Sequence, residues 1–170
     1  SLEEQCIQDC PPPCTAFCPV HVDVRQMTAA AAMGDFSGAY KIFNKSVLFP
    51  GIIARTCDQP CQKKCYRESI GGAIQLAEIE LASVLFADAS SDKPHTLPQK
   101  NERIAVIGGG LSGLSAAFEL KRKGYQVSLF EQNDTLGGRV RSMTLKGLNP
   151  SIIDQESIVV AEMGVEVLLR

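Results

Sequence analysis

Tryptophan is absent from this chain, tyrosine occurs three times and histidine twice. Charge of one sign is lacking too: 17 Lys and Arg stand against 19 Asp and Glu, a formal net charge of −2. That balance offers no basic field for nucleic acid or an anionic membrane surface. No apolar run approaches the ~20 residues that a membrane-crossing helix needs. The opening Ser-Leu-Glu-Glu-Gln-Cys has no basic region followed by an apolar one, so a secretory signal is not expected and a cytoplasmic location is. No Ser-His-Asp, Cys-His or paired-carboxylate arrangement argues for hydrolysis; no catalytic residue is assigned, and His21 and His95 fall in expected loops. At 170 residues, 45% hydrophobic and 21% charged, the chain has ordinary globular composition and the length of one domain or two small ones.

What the chain does have is cysteine. Seven stand at Cys6, Cys10, Cys14 and Cys18, then at Cys57, Cys61 and Cys65, with three residues between neighbours in each group. Three chemistries compete. A disulfide framework suits an oxidising compartment and an even count, whereas no secretory signal is expected here and the count is odd. Structural zinc prefers Cys-x-x-Cys knuckles, and no such pair occurs. Iron–sulfur ligation is favoured by Cys18-Pro19, because two-cluster ferredoxins end a cysteine run in Cys-Pro. Two cubanes need eight ligands, so seven cysteines imply either one foreign ligand or a single cluster with spare thiols.

Around the cysteines the chain reads as helical. Residues 23–33 are rich in helix formers and Gly34 suits the position after a helix end. Asp35 can cap a second helix running to about Ser46 and ending near Pro50-Gly51. The Cys57–Cys65 run suggests a loop or a single turn, and residues 73–87 a strongly apolar helix. So small a core calls for metal clusters as staples. Residues 88–102, with Ser, Asp, Lys and two Pro, have linker composition.

The second half changes character. Arg103-Ile-Ala-Val-Ile-Gly reads as a buried parallel strand. It runs into Gly108-x-Gly110-x-x-Gly113, a helix from Leu114 to Lys123, and a second strand at 125–130 ending on Glu131. A glycine loop between strand and helix, with an acid about 20 residues on, is the dinucleotide-binding fingerprint. Gly108 serves the tight turn, Gly110 the approach of a pyrophosphate, Gly113 the packing of helix on strand; the helix N-terminus favours phosphate and Glu131 the ribose hydroxyls. An acid at Glu131 repels a 2′-phosphate, so NADP is not expected in this site. The doublet Gly137-Gly138 with Arg139 favours FAD over NAD, as does nearby iron–sulfur chemistry, because flavin links two-electron to one-electron steps. A further helix (152–163) and a third strand (165–169) are expected.

Taken together, Cys14-Thr-Ala-Phe-Cys18-Pro19, Gly34-Asp35, Arg55-Thr-Cys57-Asp-Gln-Pro-Cys61-Gln-Lys-Lys-Cys65, Ile79-Glu80, the Gly108–Gly113 loop with Glu131, and Gly137-Gly138-Arg139 carry a resemblance. The chain resembles the N-terminal region of the glutamate synthase small subunit and dihydropyrimidine dehydrogenase, a family of NAD(P)H-dependent iron–sulfur flavoproteins. The resemblance implies an α-helical domain with two [4Fe–4S] clusters at 1–87, a linker at 88–102, and a partial Rossmann-type FAD-binding βαβ domain at 103–170. It implies one cluster on Cys6, Cys10, Cys14 and Cys65, and another on Cys18, Cys57, Cys61 and Glu80. Glu78 should face solvent, whereas Leu76 and Ser83 should share the Glu80 face. The implied role is electron transfer between FAD and the clusters. The partners would be the rest of the flavoprotein or a partner oxidoreductase subunit, with no nucleic acid or membrane. A non-catalytic iron–sulfur adaptor that binds a nucleotide structurally is the alternative. Two departures stand out. The family spaces the first three cysteines differently, which leaves Cys10 as an adapted ligand or a bystander. After Arg139 its Gly-Ile-Pro segment is replaced here by Ser142-Met-Thr-Leu-Lys-Gly-Leu-Asn-Pro150. The family's chain also runs well beyond this length, so a fragment, or a subunit whose sheet a partner completes, is expected.

Overall fold

A computed structural model describes residues 11–88, 95–143 and 147–170. The chain divides into two compact units, Ser1–Ala89 and Ser90–Arg170. The first is helical: α1 (Pro13–Ala16), α2 (Val24–Ala32), α3 (Phe36–Ser46), α4 (Pro50–Thr56) and α5 (Leu76–Phe86), with 3₁₀ turns at Gln62–Lys64 and Tyr66–Ile70. The ends follow the local chemistry. The Asp23 side chain accepts the Gln26 N–H at 3.1 Å and that of Asp35 accepts the Gly38 N–H at 2.7 Å, each filling an orphan donor of a first turn. Gly34, at φ +78°, turns the chain from α2 into α3. Pro50-Gly51 is not a stop, as the sequence reading has it. Pro50 opens α4, because a proline at the first helical position loses no hydrogen bond there and already holds the helical φ.

The core of this unit is small. Val22, Met27, Ala39, Phe43 and Leu76 are its innermost members, and Cys14 and Cys18 pack against its edge. α5 lies against α3 and α4, and α2 against α3.

The second unit holds β1 (Arg103–Ile107), α6 (Leu111–Arg122), β2 (Gln126–Glu131), a 3₁₀ turn at Gly138–Ser142, α7 (Pro150–Glu162) and β3 (Glu166–Leu169). The three strands form one parallel sheet in the order β1-β2-β3. This is a helical region followed by a Rossmann-like one, the expected fold class. Val127 and Leu129 are buried on the face that α6 covers through Leu114, Ala117 and Phe118. On the other face the register sets Ile107, Phe130 and Leu168 side by side. They are 81%, 40% and 40% exposed, an apolar row that nothing among the described residues covers.

Part of the expected linker is held by this unit. The Leu97 N–H donates to the Arg122 carbonyl and the Lys100 N–H to the Gly124 carbonyl, both at 2.8 Å, and the Lys100 ammonium sits 4.1 Å over the Tyr125 ring. No helix among the described residues is long and apolar enough to cross a membrane.

Helix α6 lies so close to the loop after β1 that a Cβ on Gly113 would meet the Gly108 carbonyl oxygen at 1.9 Å. Gly113→Ala therefore has to push helix and strand apart, and we expect a stability loss of about 1–3 kcal/mol in that unit. Urea unfolding followed by circular dichroism measures it, and an unchanged midpoint contradicts the packing account.

Candidate iron–sulfur centre and dinucleotide loop

Helix α5 inverts the usual logic of an apolar helix. Its sequence, Leu-Ala-Glu-Ile-Glu-Leu-Ala-Ser-Val-Leu-Phe, is mostly hydrophobic, yet its buried residues are Leu76, Glu80 and Ser83. Leu85 and Phe86 are 57% and 67% exposed. Glu78 is exposed and Glu80 buried, since two residues of helix turn a side chain by about 200°. Ser83 is satisfied locally, its hydroxyl donating to the Ile79 carbonyl at 2.7 Å. The Glu80 carboxyl has no such neighbour to explain its burial. Burial alone pushes it up to about 7.

Glu80 lies within electrostatic reach of Cys57 and Cys61. Cys57 follows α4 directly in extended backbone, and Cys61 opens the Gln62–Lys64 turn. Burial pushes the Cys61 thiol up to about 11, and the nearby Glu80, Cys57 and Cys18 push the same way. Burial also raises Cys57, opposed by the Gln59 N–H 3.4 Å from its sulfur and reinforced by Glu80 and Cys18. Cys18, Cys57, Cys61 and Glu80 thus form one group within electrostatic reach of one another. Cys57, Cys61 and Glu80 resist ionisation, chiefly because a poorly solvated place disfavours charge. A cationic centre reverses that balance, so the donor set fits a metal cluster. No three His, Cys, Asp or Glu among the described residues lie close enough to hold a single metal ion. A cubane spreads its ligands over four irons and needs a wider spacing.

Two backbone features that the sequence reading missed support the same corner. Among the described residues, only His21 and Gln59 combine a side chain with positive φ, at +50° and +54°. Such geometry is sparsely populated and is kept where surroundings enforce it. Gln59 lies between Cys57 and Cys61 and aims its N–H at sulfur; His21 follows Cys18, and its N–H donates to the Cys18 carbonyl at 3.0 Å. The His21 ring is exposed. Cys14 and Cys65 are half-buried. The Lys64 ammonium, 5.3 Å from the Phe17 ring centre, ties the end of α1 to the turn before Cys65. Cys6 and Cys10 lie outside the described residues.

The second unit assembles its expected residues around one loop. Gly108, at φ +100°, makes the turn out of β1. Glu131, buried at the end of β2, accepts the Gly109 N–H at 2.5 Å on one oxygen, and the Asn133 backbone and side-chain N–H groups at 2.9 and 2.6 Å on the other. These bonds, Gly109 first, hold its carboxyl below the usual range. The Gly137–Gly138 doublet packs on the same loop. The Gly137 N–H donates to the Gly109 carbonyl at 2.8 Å, and a Cβ on Gly138 would stand 3.0 Å from the Gly110 Cα. Arg141 fastens that segment by donating to the Leu136 carbonyl and to Asp154. Neither Asn133 nor Arg141 carries a sequence signal that would have found it. Arg139 is exposed.

Gly110 is the telling residue. Its backbone, φ −74° and ψ 174°, suits any residue. The nearest atom to an added Cβ is the Gly138 Cα at 4.0 Å. Neither strain nor packing inside the protein requires glycine there. The space fits a group from outside, at the N-terminus of α6 where free N–H groups favour a phosphate.

Comparison with known proteins finds a family match for each of the two regions. Residues 3–90 match the family described as dihydropyrimidine dehydrogenase domain II, 4Fe-4S cluster, and residues 106–167 match an NAD(P)-binding Rossmann-like domain. The glutamate synthase [NADPH] small chain of Azospirillum brasilense is 29% identical over 170 residues, covering 95% of this chain and 35% of that one. The NAD-dependent dihydropyrimidine dehydrogenase subunit PreT homolog of Salmonella typhi is 28% identical, covering 91% and 38%. The beta subunit of the NADPH-Fe(3+) oxidoreductase of Geobacter sulfurreducens (strain DL-1 / KN400) is 24% identical, covering 92% and 24%. The chain thus spans well under half the length of these relatives. With the first unit matched almost end to end, this chain belongs to the dihydropyrimidine dehydrogenase domain II, 4Fe-4S cluster family.

Proposed function

We propose that the chain is the electron-transfer portion of an NAD(P)H-dependent iron–sulfur flavoprotein oxidoreductase, similar to the glutamate synthase small subunit, with two [4Fe–4S] clusters and FAD. Residues 1–87 would form the iron–sulfur domain and 103–170 the start of the FAD domain. The observation that carries the reading is the group Cys18, Cys57, Cys61 and Glu80, three thiols and a buried carboxyl with no other reason to meet. These four would hold one cluster, and Cys14 and Cys65, with Cys6 and Cys10, the other. When bound, flavin exchanges hydride with a nicotinamide and single electrons with iron–sulfur clusters.

The chain's own residues perform the binding. Gly110 leaves room for the pyrophosphate, and the N-terminus of α6 offers it N–H groups. The Glu131 carboxylate, kept ionised by Gly109 and Asn133, would take the ribose hydroxyls and repel a 2′-phosphate. Gly138 borders the same loop, and Arg139 follows it as an exposed cation that would reach a phosphate. The Gln59 N–H steadies the Cys57 thiolate. The apolar row Ile107, Phe130 and Leu168 suits coverage by the rest of the flavoprotein or by a partner subunit, since parallel sheets are buried on both faces.

Protein purified without oxygen should carry about eight irons and as many acid-labile sulfides per chain. Cys57→Ser should lose one cluster's iron and much of the first unit's stability, because cluster binding is folding free energy there. Stoichiometric zinc without sulfide contradicts the assignment. Gly110→Val fills the space meant for the pyrophosphate. In the full-length protein it should abolish flavin retention, read from absorbance after gel filtration, while leaving the iron content unchanged. Undiminished flavin contradicts the nucleotide reading.

A further inference from the structure

The helical threonines of the first unit satisfy their hydroxyls in the ordinary way. Thr28 donates to the Val24 carbonyl at 2.8 Å and Thr56 to the Ile52 carbonyl at 3.0 Å, each four residues back. Thr15 does not. Its hydroxyl oxygen is buried and has no hydrogen-bond partner. It sits on α1, which begins only at Pro13, so no preceding turn of helix supplies the carbonyl four residues back. One other buried hydroxyl among the described residues shares this state, Ser157, in the unit that contains no cysteine.

The position of Thr15 is specific. It follows Cys14 and precedes Cys18 by three residues, and the turn between them is closed by the Cys18 N–H donating to the Thr15 carbonyl at 3.3 Å. That hydrogen bond holds Thr15 against Cys18 in the turn, and the electrostatic neighbours of Cys18 are Cys57 and Cys61. A buried hydroxyl without an acceptor costs free energy. Cubane sulfides and cysteine sulfurs bring acceptors when a cluster is bound.

Building on the cluster reading above, we propose that the Thr15 hydroxyl donates a hydrogen bond to a sulfur of the cluster held by Cys18, Cys57, Cys61 and Glu80, and thereby raises its reduction potential. A donor aimed at sulfur stabilises the more negative, reduced cluster more than the oxidised one; hydrogen bonds to the sulfurs are among the means by which proteins set these potentials. Thr15 is here a positioning and tuning residue that touches no substrate.

The test is a spectroscopic redox titration of the chain purified without oxygen, with Thr15→Val, which keeps the shape and removes the donor, and Thr15→Ser, which keeps the donor. With iron and sulfide content unchanged, one of the two midpoint potentials should fall in Thr15→Val, the other should stay, and Thr15→Ser should match the parent. Equal potentials in the parent and Thr15→Val overturn the proposal. Should Thr15→Val fail to retain iron, Thr15→Ala removes the same donor with less bulk and is read in the same way. Iron loss from both, with full iron in Thr15→Ser, makes the hydroxyl a structural group and overturns the tuning role. A parent chain without acid-labile sulfide overturns the cluster reading as well, and shows this before any variant is made.

Discussion

A carboxyl group buried on an otherwise apolar helix is the constraint from which the first unit follows. Glu80 is 6% exposed, and burial alone raises its carboxyl to about 7. A chain optimising only its core would put Leu85 or Phe86 inside and Glu80 outside. Here the reverse holds, and burial pushes the thiols of Cys57 and Cys61 up as well. Sites that break local rules in this concerted way are where function is expected. The rest of the unit serves the placement. α5 packs on α3 and α4, α4 delivers Cys57 at its end, and the strained Gln59 turns the chain back so that Cys61 re-enters the interior.

The second unit is built on backbone proximity. Gly113 lets α6 approach the β1 loop, Gly138 lets the following segment pack on that loop, Gly137 lets Ile153 of α7 come close, and Glu131 locks the loop from the end of β2. Three contacts that only glycine permits leave a fourth glycine, Gly110, with open space in front of it. The same unit leaves the apolar row Ile107, Phe130 and Leu168 exposed among the described residues.

Much of this was legible in the sequence, for identifiable reasons. The caps at Asp35 and Gly34, the strand–loop–helix–strand order and the Gly113 contact are local chemistry, and local chemistry is what a sequence states most directly. The Glu80 face follows from helical period: with Leu76 at i−4 and Ser83 at i+3, the three residues expected to share a face are the three buried on α5. Helix α4 was not legible, because Pro50-Gly51 suits both an end and a beginning, and tertiary packing chose the beginning. The hold on residues 97–100 was also hidden. Their composition reads as a linker, and what fixes them is backbone hydrogen bonding to the end of α6, which no side chain announces. The glycine doublet was read for its approach to a cofactor, while its packing on the Gly109–Gly110 backbone is visible only in three dimensions. Asn133 and Thr15 matter through what they touch or fail to touch, and composition is silent on that.

The central claim is that Glu80 completes the ligand set of Cys18, Cys57 and Cys61. An anaerobic crystal structure with iron located by anomalous scattering tests it most directly. The account predicts a Glu80 carboxylate oxygen at about 2.0–2.2 Å from one iron of a four-iron cluster, in line with carboxylate–metal bonds generally. A cluster completed by another residue or by water, with the Glu80 side chain turned away from it, would contradict the account.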